Sequence, residues 1–270
     1  MNKNNWLSDY QKNITSQNGE DGIIEKIFEI IRIDNKYCVD IGASDGKYLS
    51  NTWNLITNKT WKGLLIEGDL KRYNKLCDNY KKYPTTICLH KLVTFEEQDI
   101  DNILSKSEIP NNFDLLSIDI DGNDYHLWDS IKNYKPRVVI IEFNPTIYND
   151  IEFIQPSDMN IYQGSSILSL VKLGKLKGYE LVASTACNAI FVHSELFSLF
   201  NIDNNSPEEL NIFNKKWESR IFHLYDGTIV LTGNKKFPWR HLTIKQEDIQ
   251  PLDPKDRIYK GSIKWTPDKN

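Results

Sequence analysis

Four acidic residues carry the first chemical signal, because each closes an apolar run of the kind that makes a buried strand: Asp40, Glu67, Asp119 and Glu142. In an open parallel sheet flanked by helices, ligands gather at the carboxyl ends of the strands. Acids at equivalent strand ends therefore mark one edge of a sheet as a binding edge more firmly than any single motif does. Around the first lies a small-residue loop, Asp40-Ile41-Gly42-Ala43-Ser44-Asp45-Gly46. Glycines let backbone approach a ligand closely, and a helix start offers free N–H groups. Glu67 follows Asp40 by 27 residues, and at the end of a second strand its carboxylate can accept the hydroxyl protons of a ribose. The later runs end in Asp119-Ile120-Asp121-Gly122 and Glu142-Phe143-Asn144-Pro145. Asp119, Glu142 and the amide oxygen of Asn144 form a hard-oxygen set suited to Mg²⁺ or Mn²⁺, with plain hydrogen bonding to substrate or loops as the alternative. Asp119 and Asp121 lie two apart, so one is placed to face a cofactor and the other an acceptor. His126, just beyond the Asp-Gly turn, reads either as a general base or as a structural histidine at a helix start, and His90 is a second such candidate.

The elements that must position these residues follow from apolar periodicity. The spacing predicts a helix over 20–32, then strands over 37–41, 63–66, 85–93, 113–120 and 137–141. Helices are expected between them over 49–56, 73–80, 100–104 and 125–131. A helix over 165–176 and two antiparallel strands over 179–184 and 188–193 close the pattern. Alternating strands and helices indicate an α/β fold: a Rossmann-like, doubly wound, mostly parallel seven-stranded sheet. Residues 1–36 read as an N-terminal cap with a lead-in helix, and residues 37–200 as the core. Residues 201–270 read as a C-terminal appendage, with a helix over 207–219 and a strand over 228–231. Gln17, Glu20 and Asp21 are expected either to fold over the site or to cap the first helix. Trp128, Tyr148, Tyr162 and the tail tryptophans are expected in the core.

Composition narrows the function classes. The 270 residues hold 33 Lys+Arg against 37 Asp+Glu, a formal net charge of -4. Nucleic-acid binding needs clustered basic residues to meet phosphates; the pairs Lys81-Lys82 and Lys235-Lys236 read as solvated surface, so no nucleic-acid partner is expected. Cys38, Cys77, Cys88 and Cys187 have neither metal-ligand spacing nor a disulfide pattern, which fits a reduced compartment. The first ten residues lack the apolar stretch of a secretory leader, and no run approaches the ~20 apolar residues of a membrane span. The expected location is cytoplasmic, and a homodimer stands as an open assembly.

The stretch Val39-Asp40-Ile41-Gly42-Ala43-Ser44-Asp45-Gly46 resembles the first motif of class I methyltransferases that use S-adenosyl-L-methionine (SAM), with Ser44 where the middle glycine usually stands. Asp119-Ile120-Asp121-Gly122-Asn123-Asp124 is similar to the Asp-Val-Glu-Gly-x-Glu signature of the FkbM-like branch, and Val139-Ile140-Ile141-Glu142 resembles that branch's apolar strand ending in Glu. The resemblance covers residues 16–192. It implies that Gly42, Ala43, Ser44 and Gly46 hold the methionine end of SAM, that Glu67 holds the ribose, and that Val93 and Thr94 lie near the adenine. Asp40 and Asp119 suit the cofactor's cationic groups. The catalytic candidates are Asp119, Asp121 and His126, and the metal candidates are Asp119, Glu142 and Asn144. By analogy with the branch, the acceptor would be a small molecule, a sugar or a sugar phosphate from surface-glycan or secondary metabolism.

Three other readings compete. Asp119-Ile120-Asp121 has the Asp-x-Asp form of a metal-dependent glycosyltransferase, which leaves the glycine loop and Glu67 without a role. A dinucleotide dehydrogenase would need Gly at position 44. A non-catalytic nucleotide-binding module would not need acids at every strand end.

Overall fold

In the computed structural model, five apolar runs pair in parallel: β1 (Tyr37–Ile41), β2 (Lys62–Glu67), β3 (Thr86–His90), β4 (Leu115–Ile118) and β5 (Val138–Glu142). Two more strands, β6 (Tyr179–Ser184) and β7 (Asn188–His193), join antiparallel, and the sheet order is β3-β2-β1-β4-β5-β7-β6. The structure describes residues 4–96, 99–237 and 239–259. Strands β1 and β4 are buried along their whole length, as strands covered on both faces must be.

Six helices supply the cover: α1 (Glu20–Ile31), α2 (Trp53–Lys59), α3 (Leu70–Tyr80), α4 (Asp99–Ser105), α5 (Asp124–Ser130) and α6 (Ile167–Lys177). Alternate strand residues feed two cores. Val39, Leu116, Val139 and Phe191 pack with Leu104, Trp128 and Leu170. Cys38, Leu65, Leu115 and Ile140 pack with Ile27, Leu55 and Leu76. Each buried aliphatic or aromatic side chain contributes about 1.5–3 kcal/mol, so the double-wound arrangement follows from the apolar runs themselves. The expected seven-stranded, mostly parallel α/β sheet is the fold observed. Two further short helices are α7 (Ser194–Phe197) and α8 (Pro207–Leu210).

Several boundaries move for local reasons. The helix expected over 49–56 starts at Trp53, because Leu49 adopts a left-handed φ of 58° and Ser50 Oγ accepts the N–H groups of Thr52 and Trp53. Strand β3 stops at His90, and the chain then leaves the sheet after the Lys91 N–H meets the Glu67 carbonyl. The helix expected over 207–219 is only the short α8, followed by a 3-10 turn, Ile212–Lys216. Helix α6 is bounded as such sequences should be: Ser166 Oγ accepts the Ser169 N–H, and left-handed Gly178 ends it.

Glu20 and Asp21 neither cap α1 nor lie open for closure. Gly19 is the cap residue. Asp21 Oδ2 accepts the N–H groups of Ile14, Thr15 and Ser16, each at 2.8 Å. Glu20 accepts from the Asn18 N–H, Thr185 Oγ1 and Asn188 Nδ2. Both are buried, so their work is to fold the lead-in loop against the β6–β7 turn, while Gln17 stays exposed.

The chain forms two units, Met1–Asn214 and Lys215–Asn270. The division falls after Asn214, not after residue 200, because Ile202 and Leu210 are buried in the first unit. The second unit contains two antiparallel pairs, β8 (Ser219–His223) with β9 (Ile229–Gly233), and β10 (Lys236–Phe237) with β11 (Leu242–Thr243). The expectation that the tail tryptophans are core fails for Trp239, which is exposed; Trp265, like residues 1–3, lies outside the described residues. The four cysteines are all free.

Candidate active site

A cavity of about 540 Å³ opens at the carboxyl edge of the sheet, around the ends of β1, β2 and β4. Its size is that of a ligand pocket. It sits where the strand order reverses between β1 and β4, the place where open α/β sheets bind ligands.

The loop after β1 is built by the sheet. The N–H groups of Gly42 and Ala43 both donate to the Ile66 carbonyl at 3.0 Å. Gly42 has a φ of 84°, and a Cβ there would lie 1.7 Å from the Asp119 carbonyl oxygen. The glycine is thus demanded by the backbone of the strand next door, whatever occupies the cavity. Gly46 is a glycine for a different reason: a Cβ would strike Leu76 and Tyr80 of α3 at 2.3 and 2.4 Å. Gly42, Ala43 and Ser44 line the cavity, and Gly46 stands behind it.

Ser44 occupies the left-handed region at φ 53°, and that turn aims its N–H at Glu67 Oε2, 2.7 Å away. The Asp69 N–H donates to Glu67 Oε1, also at 2.7 Å. Two backbone donors therefore pin a buried carboxylate at the cavity wall, and each oxygen keeps a lone pair to accept a further proton. That geometry suits the two adjacent hydroxyls of a ribose. Val93 lines the cavity as well. Thr94 is turned to other use, its N–H and Oγ1 both donating to Asp99 Oδ2 at 3.1 Å, next to the start of α4.

The remaining acids form a second group. Asp40 is buried and accepts from Thr52 Oγ1 at 2.7 Å; burial pushes its carboxyl up to about 6. The carboxylate oxygens of Asp119, Asp124 and Glu142 lie within 4.8 Å of one another. Burial of its carboxyl, and then the charges of Asp124, Asp121 and Asp40, push Asp119 up to about 7, although the residue as a whole is exposed at the cavity. Burial pushes Asp124 to about 6 against the pull of its backbone hydrogen bonds from Ile120 and Gly122. Burial, and then the charges of Asp119, Asp124 and Asp121, raise Glu142 well above the usual carboxylate range. Among the described residues, no lysine or arginine forms an ion pair with any of them. Asp121, left-handed at φ 60°, is exposed on the cavity wall.

Asn144 is not in this group. Its Oδ1 accepts from the Thr146 N–H and Oγ1, and its Nδ2 donates to the Gln163 carbonyl at 2.7 Å. Asp124 stands in its place. The sequence carried that signal, since Asp124 ends the Asp119–Asp124 motif, but an acid opening a helix reads first as a helix-end charge. His126 is turned away from the cavity, its Nε2–H donating to the Gln155 carbonyl at 2.8 Å. His90 likewise stacks on Tyr73 and bonds Gly68. His126, Asn123 and the buried Gln155 instead tie the long connection between β5 and α6 to the Asp-Gly turn: Asn123 Nδ2 reaches the carbonyls of Asp158 and Ile161, and Gln155 Oε1 accepts from Gln163 and Gly164. That connection brings Met159 and Tyr162 to the cavity. Tyr162 is 71% exposed there, not core. Asn51, Ser117, Arg72 and Lys91 also line the wall, and no local pattern singles them out.

No protein-family model and no curated protein matches the chain. Solved structures do. One is a SAM dependent methyltransferase from Aquifex aeolicus, with 14% identity over 63% of this chain and 88% of that one, at a TM-score of 0.37. A second is the N-terminal domain of EvdMO1 with SAH bound, with 12% identity over 67% and 82% and a TM-score of 0.43. A third is the pyocyanin biosynthetic protein PhzM, with 14% identity over 63% of this chain and a TM-score of 0.39. This chain spans about half the length of PhzM, 54%.

Proposed function

We propose that this chain is a SAM-dependent methyltransferase that acts on the oxygen of a hydroxylated small molecule, such as a sugar. The observation that carries the reading is Glu67. Its carboxylate is fixed by the N–H groups of Ser44 and Asp69 at the end of β2, on the wall of the cavity that the glycine loop also lines. When bound, SAM supplies an electrophilic methyl group on a positively charged sulfonium. The residues of the chain then have three tasks. Glu67 accepts the ribose hydroxyls. The loop Gly42–Ser44 and the uncompensated acids, Asp40 and Asp119, receive the amino-acid end and the positive charge. Asp119 and Asp121, open to the cavity, accept the hydroxyl of the acceptor and orient it in line; the Asp119 carboxyl, raised to about 7, suits removal of its proton.

A divalent ion is a second reading at the same edge. Three carboxylates within 4.8 Å of one another are hard donors that Mg²⁺ or Mn²⁺ would join, and Asp119, Asp124 and Glu142 would hold it. Its chemistry would be to lower the pKa of the acceptor hydroxyl. A UDP-sugar would also present a ribose to Glu67, so binding separates the glycosyltransferase reading from this one.

Thermal unfolding with SAM, S-adenosylhomocysteine (SAH), NAD and UDP-glucose, each with and without Mn²⁺, tests these readings. A ligand at 100 times its dissociation constant adds about 2.7 kcal/mol of stability. Stabilisation by SAM and SAH is the expected result. Stabilisation by UDP-glucose with Mn²⁺, and none by SAH, overturns the proposal. Methyl transfer that survives EDTA unchanged removes the metal.

A further inference from the structure

The second unit carries an exposed apolar tip that the cavity does not explain. Strands β10 and β11 form a short hairpin in which Phe237 and Leu242 are register partners, so their side chains stand side by side. The N–H groups of Arg240 and His241 both reach the Phe237 carbonyl, at 3.2 and 3.1 Å, and close the turn. Phe237 is 49% exposed, Trp239 61% and Leu242 60%. Scattered apolar residues on a surface need no explanation, but a phenylalanine, a tryptophan and a leucine on one tight turn do.

The charges around the tip have one sign. Lys235, Lys236, Arg240 and Lys245 surround it, all exposed, and no acid occurs between Asn234 and Gln246. None of these four cations has an acidic partner among the described residues. The bias extends through the unit: residues 215–270 hold twelve Lys and Arg against seven Asp and Glu, within a chain that is acidic as a whole.

We infer that this hairpin docks the protein on an anionic lipid surface. Tryptophan and phenylalanine settle at the boundary between headgroups and acyl chains, where one side is apolar and the other wet. Lysine and arginine beside them gain from the negative potential of anionic headgroups. Phe237, Trp239 and Leu242 enter the boundary, and Lys235, Lys236, Arg240 and Lys245 lie among the headgroups. No helix among the described residues is long and apolar enough to cross a membrane, so this docking is peripheral and reversible. It holds whatever the cavity binds.

Flotation of the full chain with phosphatidylcholine vesicles, with and without phosphatidylglycerol, tests the inference. The chain should float with the anionic vesicles, stay down with the neutral ones, and be released by high salt. Phe237→Ser with Trp239→Ser should weaken the association about tenfold or more at an unchanged melting temperature, since both side chains lie on the surface. Lys235→Glu with Lys236→Glu should weaken it by a similar factor. Absence of flotation with anionic vesicles, equal flotation with both kinds, or wild-type flotation of either double variant overturns it. So does tighter binding to single-stranded RNA than to anionic vesicles. A dimer in light scattering that Trp239→Ser splits into monomers would assign the tip to a second copy instead.

Discussion

The two edges of the central sheet differ in whether their carboxylates meet a cation. At the amino edge, Asp114 is fully buried, and its oxygens accept from Arg137 Nη1 at 2.7 Å and from the N–H groups of Asp34, Asn35 and Lys36. Arg137 continues to the carbonyls of Ile31 and Arg32, which ties the end of α1 to the sheet. At the carboxyl edge, Asp40, Asp119, Asp124 and Glu142 have raised pKa values, and none forms an ion pair among the described residues. A buried charge is tolerable when paired and hydrogen-bonded, and costly otherwise. The chain thus gives a cation to the acid that only holds the fold together and, among the described residues, gives none to the acids gathered at the carboxyl edge. A ligand with positive charge is the simplest reason to keep them so.

The largest effect belongs to the amino edge. Arg137→Ala should lower stability by about 3–5 kcal/mol, because Asp114 is left buried without its cation; urea unfolding measures it. A loss below about 1 kcal/mol would erase the contrast between the edges. Asp119→Asn, by comparison, should leave the free protein as stable or more so, since it removes one of several repelling charges.

Next comes Glu67→Ala. Losing hydrogen bonds to a charged acceptor, at about 1.5–3 kcal/mol, should weaken SAH binding between tenfold and a hundredfold by calorimetry, with the fold retained. Unchanged affinity would move the nucleoside away from β2. Gly42→Val is a poorer probe of the same site: its new side chain meets the Asp119 carbonyl, so it tests the sheet and not the cofactor.

The pH dependence of stability sharpens the comparison further. The carboxyls of the open edge have folded pKa values above their unfolded ones, so the folded chain holds extra protons across that interval. Their stabilising contribution is complete below the unfolded values, about 4, and is lost as pH rises through about 6 for Asp40 and Asp124 and about 7 for Asp119. The melting temperature of the ligand-free protein should therefore fall between pH 5 and 7.5, roughly the window these shifts set. The Asp119→Asn variant should show a shallower fall, and SAM should restore the loss in the wild type. Equal slopes in variant and wild type would place Asp119 in ordinary solvent.

The smallest effect separates Asn144 from Asp124. If Mn²⁺ binds, Asp124→Asn should weaken it about tenfold or more. Asn144→Ala, which loosens a loop by about 1 kcal/mol, should change it less than about threefold. The reverse order would return the ligand role to Asn144.

By itself the sequence determined the layers. The runs that end in Asp40, Glu67, Asp119 and Glu142 are local patterns, and a buried strand can be recognised from its own residues. Their shared position at one sheet edge followed from that alone, and so did the two closing strands. The tertiary structure decided what each polar group touches. Asp124 joins Asp119 and Glu142 while Asn144 turns into its own loop. His126 holds a connection instead of a substrate, and Tyr162 arrives at the cavity from a segment whose course depends on Gln155 and Asn123. Even the reason for Gly42 is remote, since the atom it must avoid is the carbonyl of Asp119. Burial is set by the period of the chain, which a short window contains. Pairing is set by register and by loops that cross from distant strands, and there a residue's partner lies tens of positions away.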